Sequence, residues 1–436
     1  MVFGLFLKLF PHPWYGFGDH VVSDLDFLTE RFRSFYQKTN VSEPPGVEFR
    51  EFGYGIFGKK ISGRHLNFVS LAEFNSFLRS QVPFYVSYSP AFYQYPANRP
   101  MAAKELLHSD IVYEFDADDL KTPCAQEHDF WECKSCHAAG RGVVEACSSC
   151  GGSSIAADQW VCENCLETVK KQVFRLVDVI ENDFGFSDGL DFNFSGSKGF
   201  HIHLRGKSVQ GLSAKARVEL LDFVTGTNLD LQSLGFSESN NALRCTPFRS
   251  SHGWSKKILE ALHELLESGD ASRLAVAGSV SIRTANKVIE DKTAVWESVQ
   301  KGLFPTVSSK SVVFWKNVLE FVSSDLGLSV DRQTSMDQYK IIRVPETLHG
   351  STGLLAKKII FNSLSSFNAL EESVVFGNDP VKLFVSRAPK IRIGGESFGP
   401  FENQETELPE FAAVFLLCHG AATLAENHVP LKEALR

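Results

Sequence analysis

The sequence predicts a mixed α/β fold, for three reasons. Strand-like and helical patterns alternate through the first half of the chain, from residues 24–36 to residues 190–204. A mostly helical stretch follows from Ser213 to about Leu326. Strand signals then return at residues 339–344. This order is typical of an α/β or α+β core that is interrupted by a helical insertion.

The individual elements rest on spacing and on local signals. Apolar side chains recur at helical spacing over residues 24–36 and 166–182. Ser70 followed by Glu73 forms a capping box, which predicts a helix to about residue 80. The other predicted elements follow from the same patterns. Strands are predicted within 47–68 and over 82–88, 109–115, 190–204 (two strands) and 381–392, and helices over 255–268, 285–301 and 409–425.

Composition favours a globular protein inside the cell. With 43% hydrophobic residues in 436, the chain can bury a sizeable core, which excludes bulk disorder. A net charge of -8 excludes a generally basic surface, so any nucleic-acid contact must be local. The apolar run at residues 1–13 is too short to span a bilayer and lacks a signal-peptide pattern. We therefore expect a soluble, intracellular protein with no membrane contact.

An acidic pair ends the apolar run that begins at Ile111. Asp116 and Asp118 are two residues apart, so on a strand they point to the same face. Paired carboxylates repel unless a cation lies between them, and hard oxygen ligands suit Mg²⁺ or Mn²⁺. The pair predicts a site for two catalytic ions, although a solvated acidic turn is the alternative. Glu114 shares this strand parity but lies deeper in the run, and we interpret it as structural.

The segment 195–205 has the features of a phosphate-binding loop. Glycines flank Lys198, so the backbone can approach a ligand closely, and Ser195, Lys198 and His201 could surround a triphosphate. The Walker spacing is absent. An ordinary hairpin turn is one alternative, and a metal pair formed by His201 and His203 is another. Further along the chain, Asp331 could supply a third carboxylate, and Arg343 and His349 could bind phosphates, although each is also typical of a surface residue.

Seven of the nine cysteines lie between Cys124 and Cys165, which indicates metal binding in a reducing compartment rather than disulfides. Three Cys-x-x-Cys pairs with Cys124 and His128 give eight ligands, enough for two tetrahedral zinc sites. We predict one site from Cys133, Cys136, Cys147 and Cys150 and another from Cys124, His128, Cys162 and Cys165. A single zinc with spare thiols, or His137 as a ligand, is the alternative.

In this order, the motifs resemble the small catalytic subunit of archaeal and eukaryotic DNA primases, a family of the archaeo-eukaryotic primase superfamily. The resemblance runs from about Val47 to the C-terminal helix. It is carried by Arg50-Glu-Phe-Gly-Tyr54, Phe115-Asp-Ala-Asp-Asp119, the cysteine-rich insertion, the segment from Asn182 to His201, and Asp331 with Arg343-Val-Pro345 and His349. The stretch around Cys124 and His128 and the motif Glu396-Ser-Phe-Gly-Pro400 are archaeal in character.

The resemblance implies an open catalytic cleft between an RRM-like sheet and a second β layer. It implies synthesis of short primers on single-stranded DNA by two-metal nucleotidyl transfer from NTPs or dNTPs, with release of pyrophosphate. Asp116, Asp118 and Asp331 would hold the Mg²⁺ or Mn²⁺ ions. The implied nucleotide-binding residues are Arg50, Ser195, Lys198, His201, Arg343 and His349.

The resemblance also implies partners and a domain division. The partners are a large, iron–sulfur-containing subunit in a heterodimer, the single-stranded template and nucleoside triphosphates, at the replication fork in the cytoplasm of an archaeal cell. One or two zinc ions would be structural. The catalytic domain would comprise residues 1–120, 169–212 and 327–436, with a zinc-binding insertion at 121–168 and a helical subdomain at 213–326.

Two other functions are consistent with parts of the sequence. One is a stand-alone repair or plasmid primase-polymerase, and the other is a non-catalytic zinc protein that binds nucleic acid. A match over most of the chain favours the replicative subunit over the first. The presence of all three aspartates and of the phosphate-binding positions argues against the second.

Overall fold

Two four-stranded antiparallel sheets form the walls of one cleft, which is lined by residues from both. The computed structural model describes residues 22–120, 122–186 and 189–427. The apolar run at residues 1–13 lies outside them. The predicted mixed α/β fold class is confirmed. No helix in the described ranges has the length and hydropathy needed to cross a membrane.

The first sheet contains the acidic motif. Its strands in spatial order are β15 (Lys358–Ile359), β10 (Leu190–Phe194), β11 (Gly199–Leu204) and β6 (Ile111–Asp116). In the β11–β6 pair, His201 lies opposite Glu114 and Gly199 lies opposite Asp116. The two strands predicted at residues 190–204 are therefore present, and their turn ends beside the acidic residues.

The second sheet forms the opposite wall of the cleft. Its strands in spatial order are β14 (Ile342–Arg343), β3 (Tyr85–Tyr88), β1 (Phe52–Ile56) and β2 (Lys59–Leu66). Helices α1 (Asp24–Lys38) and α2 (Leu71–Gln81) pack against it through aromatic rings. The predicted start of α2 is confirmed, because Ser70 Oγ accepts a hydrogen bond from the Glu73 N–H (3.2 Å).

The remaining strands form small sheets around these two. They are β4 (Ala91–Tyr93) with β5 (Leu106–Ser109); β8 (Ala139–Arg141), β7 (Phe130–Cys133) and β9 (Ile155–Asp158); β12 (Ser237–Ser239) with β13 (Ala242–Arg244); β17 (Ile391–Ile393) with β18 (Glu396–Phe398); and β19 (Phe401–Pro409), β16 (Pro380–Ala388) and β20 (Ala422–Leu424).

Helix α4 (Glu163–Asp178) packs on the first sheet and continues into a π turn at Val179–Asp183. The predicted helical region contains most of the other long helices, interrupted by the β12–β13 hairpin. They are α6 (Ala214–Thr225), α7 (Gly253–Glu267), α8 (Ala271–Gly278), α9 (Ile282–Glu290), α10 (Lys292–Gln300) and α11 (Ser311–Leu326). The others are the short α3 (Ala125–His128), α5 (Lys207–Gln210), α12 (Arg332–Met336) and α13 (Ala369–Glu372), and the buried α14 (Glu410–His419).

Within the described residues, hydrophobic side chains form three clusters. The main cluster contains both large sheets with α1, α4 and α14. The helical region has its own cluster around Trp315 and Leu262. A small one, with Trp131, Cys133 and Cys147, lies in the cysteine-rich insertion. The predicted domain boundaries stay a prediction, and this separation of cores is their physical support.

Two predicted elements near the C-terminus are wrong in extent. The strand predicted over 381–392 is two strands, β16 and β17, because the extended segment is interrupted at Pro389 and Lys390. The apolar helix predicted over 409–425 ends at His419, because Gly420 adopts a left-handed conformation (φ 82°) that ends the helix, and β20 follows.

Candidate active site

Glu114 and Asp116 face the cleft from one side of β6, because residues two apart on a strand point the same way. The cleft has a volume of about 700 Å³. Burial, and then the negative charge of Glu114, raises the pKa of Asp116 to about 7. Burial alone would raise the pKa of Glu114 too, but hydrogen bonds from His201 and Thr334 outweigh it and lower that pKa to about 2. A second charge here is unfavourable until a cation compensates it.

Asp331 lies beside this pair at the start of α12. Its N–H donates to the carbonyl of Glu114 (3.0 Å). The Thr334 hydroxyl lies 2.6 Å from Glu114 Oε2 and 2.8 Å from Asp331 Oδ2, and Lys340 Nζ lies 2.7 Å from Asp331 Oδ2. Burial would raise the pKa of Asp331, but the hydrogen bond from Lys340 and its charge lower it. The third predicted carboxylate therefore joins the set through shared hydrogen bonds.

Asp118 lies beyond the end of β6, in the 3₁₀ turn Ala117–Leu120. Its side chain is 34% exposed and forms an ion pair with Lys198 at 2.9 Å. Asp118 lines the same cleft at its rim. The cleft thus contains Asp116, Asp118 and Asp331, but the strand neighbour of Asp116 is Glu114. Glu114, which we interpreted as structural, also lines the cleft, and its role stays a prediction.

The loop between β10 and β11 passes close to the acidic pair. A Cβ on Gly199 would lie 1.9 Å from the carbonyl oxygen of Phe115, so only glycine fits there. Gly196 (φ +83°) approaches His349 similarly, because an added Cβ would lie 2.8 Å from the His349 Cβ. Ser195 Oγ accepts from the Gly199 N–H (3.2 Å), which holds the turn. Buried His203 bonds to Asn193 Oδ1 (2.9 Å), which disfavours the alternative of a metal pair.

Arg343 and His349 lie on the other side of the cleft. The guanidinium of Arg343 lies 5.1 Å from the Tyr85 ring centroid, and burial lowers its pKa to about 10, so it stays positive near neutral pH. Burial, and then the charge of Arg343, lowers the pKa of His349 well below its usual range. The Ser351 N–H donates to His349 Nδ1 (3.3 Å), which leaves Nε2 to carry the proton. Both side chains can therefore donate to an anion.

The sequence does not identify several polar residues of the cleft, because they lie in separate segments without a motif. Lys340, described above, is one, and Lys60 on β2 is another. Opposite them, His419 Nε2 lies 2.9 Å from Asp158 Oδ1, and the His419 ring stacks on Trp160 at 3.8 Å between centroids. The end of β9 and the end of α14 therefore build one wall together.

Arg50 is the exception among the predicted nucleotide-binding residues. Its fully buried guanidinium donates to the carbonyls of Pro45, Ser89 and Pro90 (each 2.9 Å) and pairs with Asp110 (2.8 Å). Arg50 does not line the cleft. The prediction that it lies there is wrong, because internal acceptors engage all of its guanidinium nitrogens.

We expect Arg50→Met to lower the free energy of unfolding by about 3–5 kcal/mol, because it removes the closest cation from buried Asp110 and leaves only Arg205, at 3.7 Å, to compensate that charge. Nucleotide affinity of the folded fraction should be unchanged. Denaturant unfolding and nucleotide titration measure the two effects separately. Normal stability with weakened nucleotide binding would restore Arg50 to the site, and Arg50→Met/Asp110→Leu should recover part of the stability.

Both predicted cysteine sets come together, with all four ligand atoms of each within 4.8 Å of one another. In the set of Cys124, His128, Cys162 and Cys165, two of the three sulfur–sulfur distances are 3.3 Å and 3.7 Å, and His128 Nε2 lies 3.2 Å from Cys165 Sγ. In the set of Cys133, Cys136, Cys147 and Cys150, two sulfur–sulfur distances are 3.6 Å. A tetrahedron with Zn–S of about 2.3 Å places sulfurs about 3.8 Å apart, and a disulfide requires about 2.05 Å.

The two cysteine sets fit structural zinc. We name the first set the base site, because it joins both ends of the insertion, and the second the ribbon site. At the base site, Asp129 Oδ1 lies 2.8 Å from His128 Nδ1 and accepts the Trp160 N–H at 2.8 Å. This contact orients the histidine ligand and connects the site to the cleft wall. His137 is exposed and bonds to Glu132 instead (3.1 Å).

The carboxylates of the cleft fit a hard divalent cation. Their oxygen atoms are the ligands that Mg²⁺ and Mn²⁺ prefer. Burial, and then the charge of Glu114, raises the pKa of Asp116, and a bound cation would compensate the charge that both disfavour.

Comparisons with known proteins identify the family of the chain. A model of the DNA primase small subunit family matches residues 155–360. The chain is 30% identical over 419 residues to the DNA primase small subunit PriS of Methanothrix thermoacetophila, covering 91% of this chain and 98% of the relative. Its counterparts in Cenarchaeum symbiosum and Nitrosopumilus maritimus are 28% and 26% identical, each covering 92% of this chain and 99% of the relative. The predicted resemblance is confirmed, and the chain belongs to the DNA primase small subunit family.

Proposed function

We propose that this chain is the catalytic subunit of a DNA primase. It joins nucleoside triphosphates into short primers on single-stranded DNA and releases pyrophosphate. The proposal is carried by one observation, the convergence of carboxylates with Lys198, Arg343 and His349 in a single cleft. Carboxylates alone would repel a triphosphate, whereas carboxylates with bound cations and adjacent basic groups attract it.

Asp116, Asp118 and Asp331, together with Glu114, would hold Mg²⁺ or Mn²⁺. When bound, such ions lower the pKa of an attacking hydroxyl and stabilise the charge on pyrophosphate. Lys198 and Arg343 supply positive charge toward the phosphates, and His349 donates from Nε2. His201 holds Glu114 in place (3.3 Å), and Ser195 shapes the turn.

The other components follow from family membership and from the cysteine sets. Full tetrahedral ligand sets leave no open position, so zinc would be structural. A small subunit implies a large one, which we expect to contain an iron–sulfur cluster, acting with this chain at the replication fork inside the cell.

The direct test uses purified chain with single-stranded template, Mg²⁺ or Mn²⁺ and labelled nucleotides, beside an Asp116→Ala/Asp118→Ala double variant. Template-dependent products from the wild type alone would support nucleotidyl transfer in this cleft. Absence of product from both, even after addition of the large subunit, would overturn the proposal in favour of a zinc protein that binds nucleic acid.

We expect Lys198→Ala to raise the KM for nucleoside triphosphate about 10- to 100-fold, because a charge-assisted hydrogen bond to phosphate is worth about 1.5–3 kcal/mol. Lys207→Ala is the matched control, since Lys207 is exposed on α5 and does not line the cleft. Steady-state kinetics with varied nucleotide measure both. An unchanged KM in Lys198→Ala would remove this residue from the triphosphate site.

A further inference from the structure

A second groove adjoins the catalytic cleft. It lies between the cysteine-rich insertion and the β17–β18 hairpin and has a volume of about 760 Å³. Trp160 and Val161 line both the cleft and this groove. The two cavities therefore adjoin at one short segment of chain.

Three cations from separate segments converge on the groove. Arg141 comes from the end of β8, and Lys390 and Arg392 come from the β17–β18 hairpin. Ile391 and Ile393 are buried, whereas Arg392 between them and Lys390 just before β17 are exposed. The hairpin is fixed on the protein, because the Gly394 N–H donates to the Leu370 carbonyl (2.8 Å).

Neighbouring carboxylates only partly neutralise these cations. Glu163, which also lines the groove, lies 3.6 Å from Arg392 and accepts from Asn368 (2.9 Å). In the part of the chain that the structure describes, Arg141 and Lys390 have no carboxylate within 4.0 Å, although Glu127 also lines the groove. In a chain of net charge -8, this is a local basic surface beside an acidic catalytic cleft.

We propose that this groove binds the phosphate backbone of the nucleic-acid strand that leaves the catalytic cleft, through Arg141, Lys390 and Arg392. The inference rests on the proposed function, which places that strand in the cleft. A polyanion fits the observations, because the cations belong to separate segments and the groove adjoins the cleft. Phosphate contacts of this kind hold the strand in register without reading its bases.

The test measures binding of a fluorescent single-stranded oligonucleotide, and of the same strand annealed to a primer, over a range of salt concentrations. Each lost phosphate contact should reduce the slope of log affinity against log salt by about 0.7 on a single strand. Lys390→Gln/Arg392→Gln should therefore reduce the slope by about 1.4 and affinity by about tenfold in moderate salt. Arg141→Gln, on a different segment, should reduce the slope by about 0.7.

The matched control is Lys215→Gln/Lys256→Gln, which removes the same charge from exposed positions on α6 and α7. Unchanged slopes in the groove variants, or an equal reduction in the control, would overturn the inference. If the variants lose affinity only for the primed template, the product duplex lies in the groove. If they lose affinity for the single strand, the template lies there. Primer synthesis with unchanged slopes would leave the proposed function standing. If the groove variants reduce the slope but the wild-type chain makes no primer, the groove still binds nucleic acid and the proposed function is rejected.

Discussion

Asp116→Asn should abolish primer synthesis, by at least about 10³-fold, and at the same time stabilise the metal-free protein. Activity is lost because Asp116 lines the cleft with the other carboxylates, and the charge stabilisation that a catalytic ion supplies is worth several kcal/mol. Stability rises because the folded protein holds this carboxylate where burial and Glu114 disfavour its charge.

The sign of the pH dependence follows from the raised pKa. A free aspartate has a pKa of about 3.9, whereas Asp116 in the fold has a pKa of about 7. Between these values the folded state binds more protons than the unfolded state, so this residue destabilises the fold increasingly as pH rises, and fully above the folded pKa. Because Asp116 is partly exposed, we expect asparagine to gain about 1–3 kcal/mol at about pH 8 and almost nothing near pH 4.

Glu114→Gln provides the contrast. We expect a comparable loss of activity, but a loss of stability, because its hydrogen bonds hold the folded pKa at about 2 and favour the charged form. That stability is present above the unfolded pKa of about 4.3 and is lost as pH falls toward the folded pKa.

Asp118→Asn should reduce activity less, and Asp119→Asn, outside the cleft lining, is the control. Denaturant unfolding with chelator and primer assays with metal measure both effects. Full activity in Glu114→Gln, with Asp118→Asn inactive, would restore Asp118 as the metal-binding partner of Asp116.

Loss of the base site should be the most destabilising change in the zinc-binding region. Cys165 lies in α4, which packs on the first sheet, while Cys124 and His128 lie at the other end of the insertion. Cys165→Ser should therefore lower the free energy of unfolding by about 5 kcal/mol, since zinc affinity is largely folding energy in such modules. The wall formed by Asp158 and Trp160 should be disturbed, and primer synthesis should fall with it.

Cys150→Ser is the matched control at the ribbon site. Cys150 is exposed, and the hydrophobic cluster beside it is small. Its loss should unfold the ribbon locally and leave the main calorimetric transition within a few degrees of wild type. Metal analysis should find two zinc ions in the wild type and one in each variant. One zinc in the wild type, or equal destabilisation by the two variants, would contradict the separate roles.

Local patterns in the sequence identified both cysteine sets and the β10–β11 turn, because their signals lie in spacing and glycine placement. They predicted that Asp116 and Asp118 share one face of a strand, whereas Asp118 lies in a 3₁₀ turn beyond β6, because spacing does not show where a strand ends. Arg50 lies in a family motif, but the direction of its side chain depends on the packing of Pro90 and Phe92 from elsewhere in the chain. Lys340 and His419 enter the cleft only through tertiary contacts, for which the sequence has no local signal.

The base site also limits what changes of length can do to this protein. The chain enters the insertion near Cys124 and leaves it near Cys165, and the two ends meet at one set of ligands. Zinc at that point would close the loop whatever its length, and the entropy of closure grows only slowly with added residues. The ribbon between Cys133 and Cys150 can therefore lengthen, shorten or diverge in evolution, while the end of β6 and the start of α4 keep their positions beside the catalytic carboxylates.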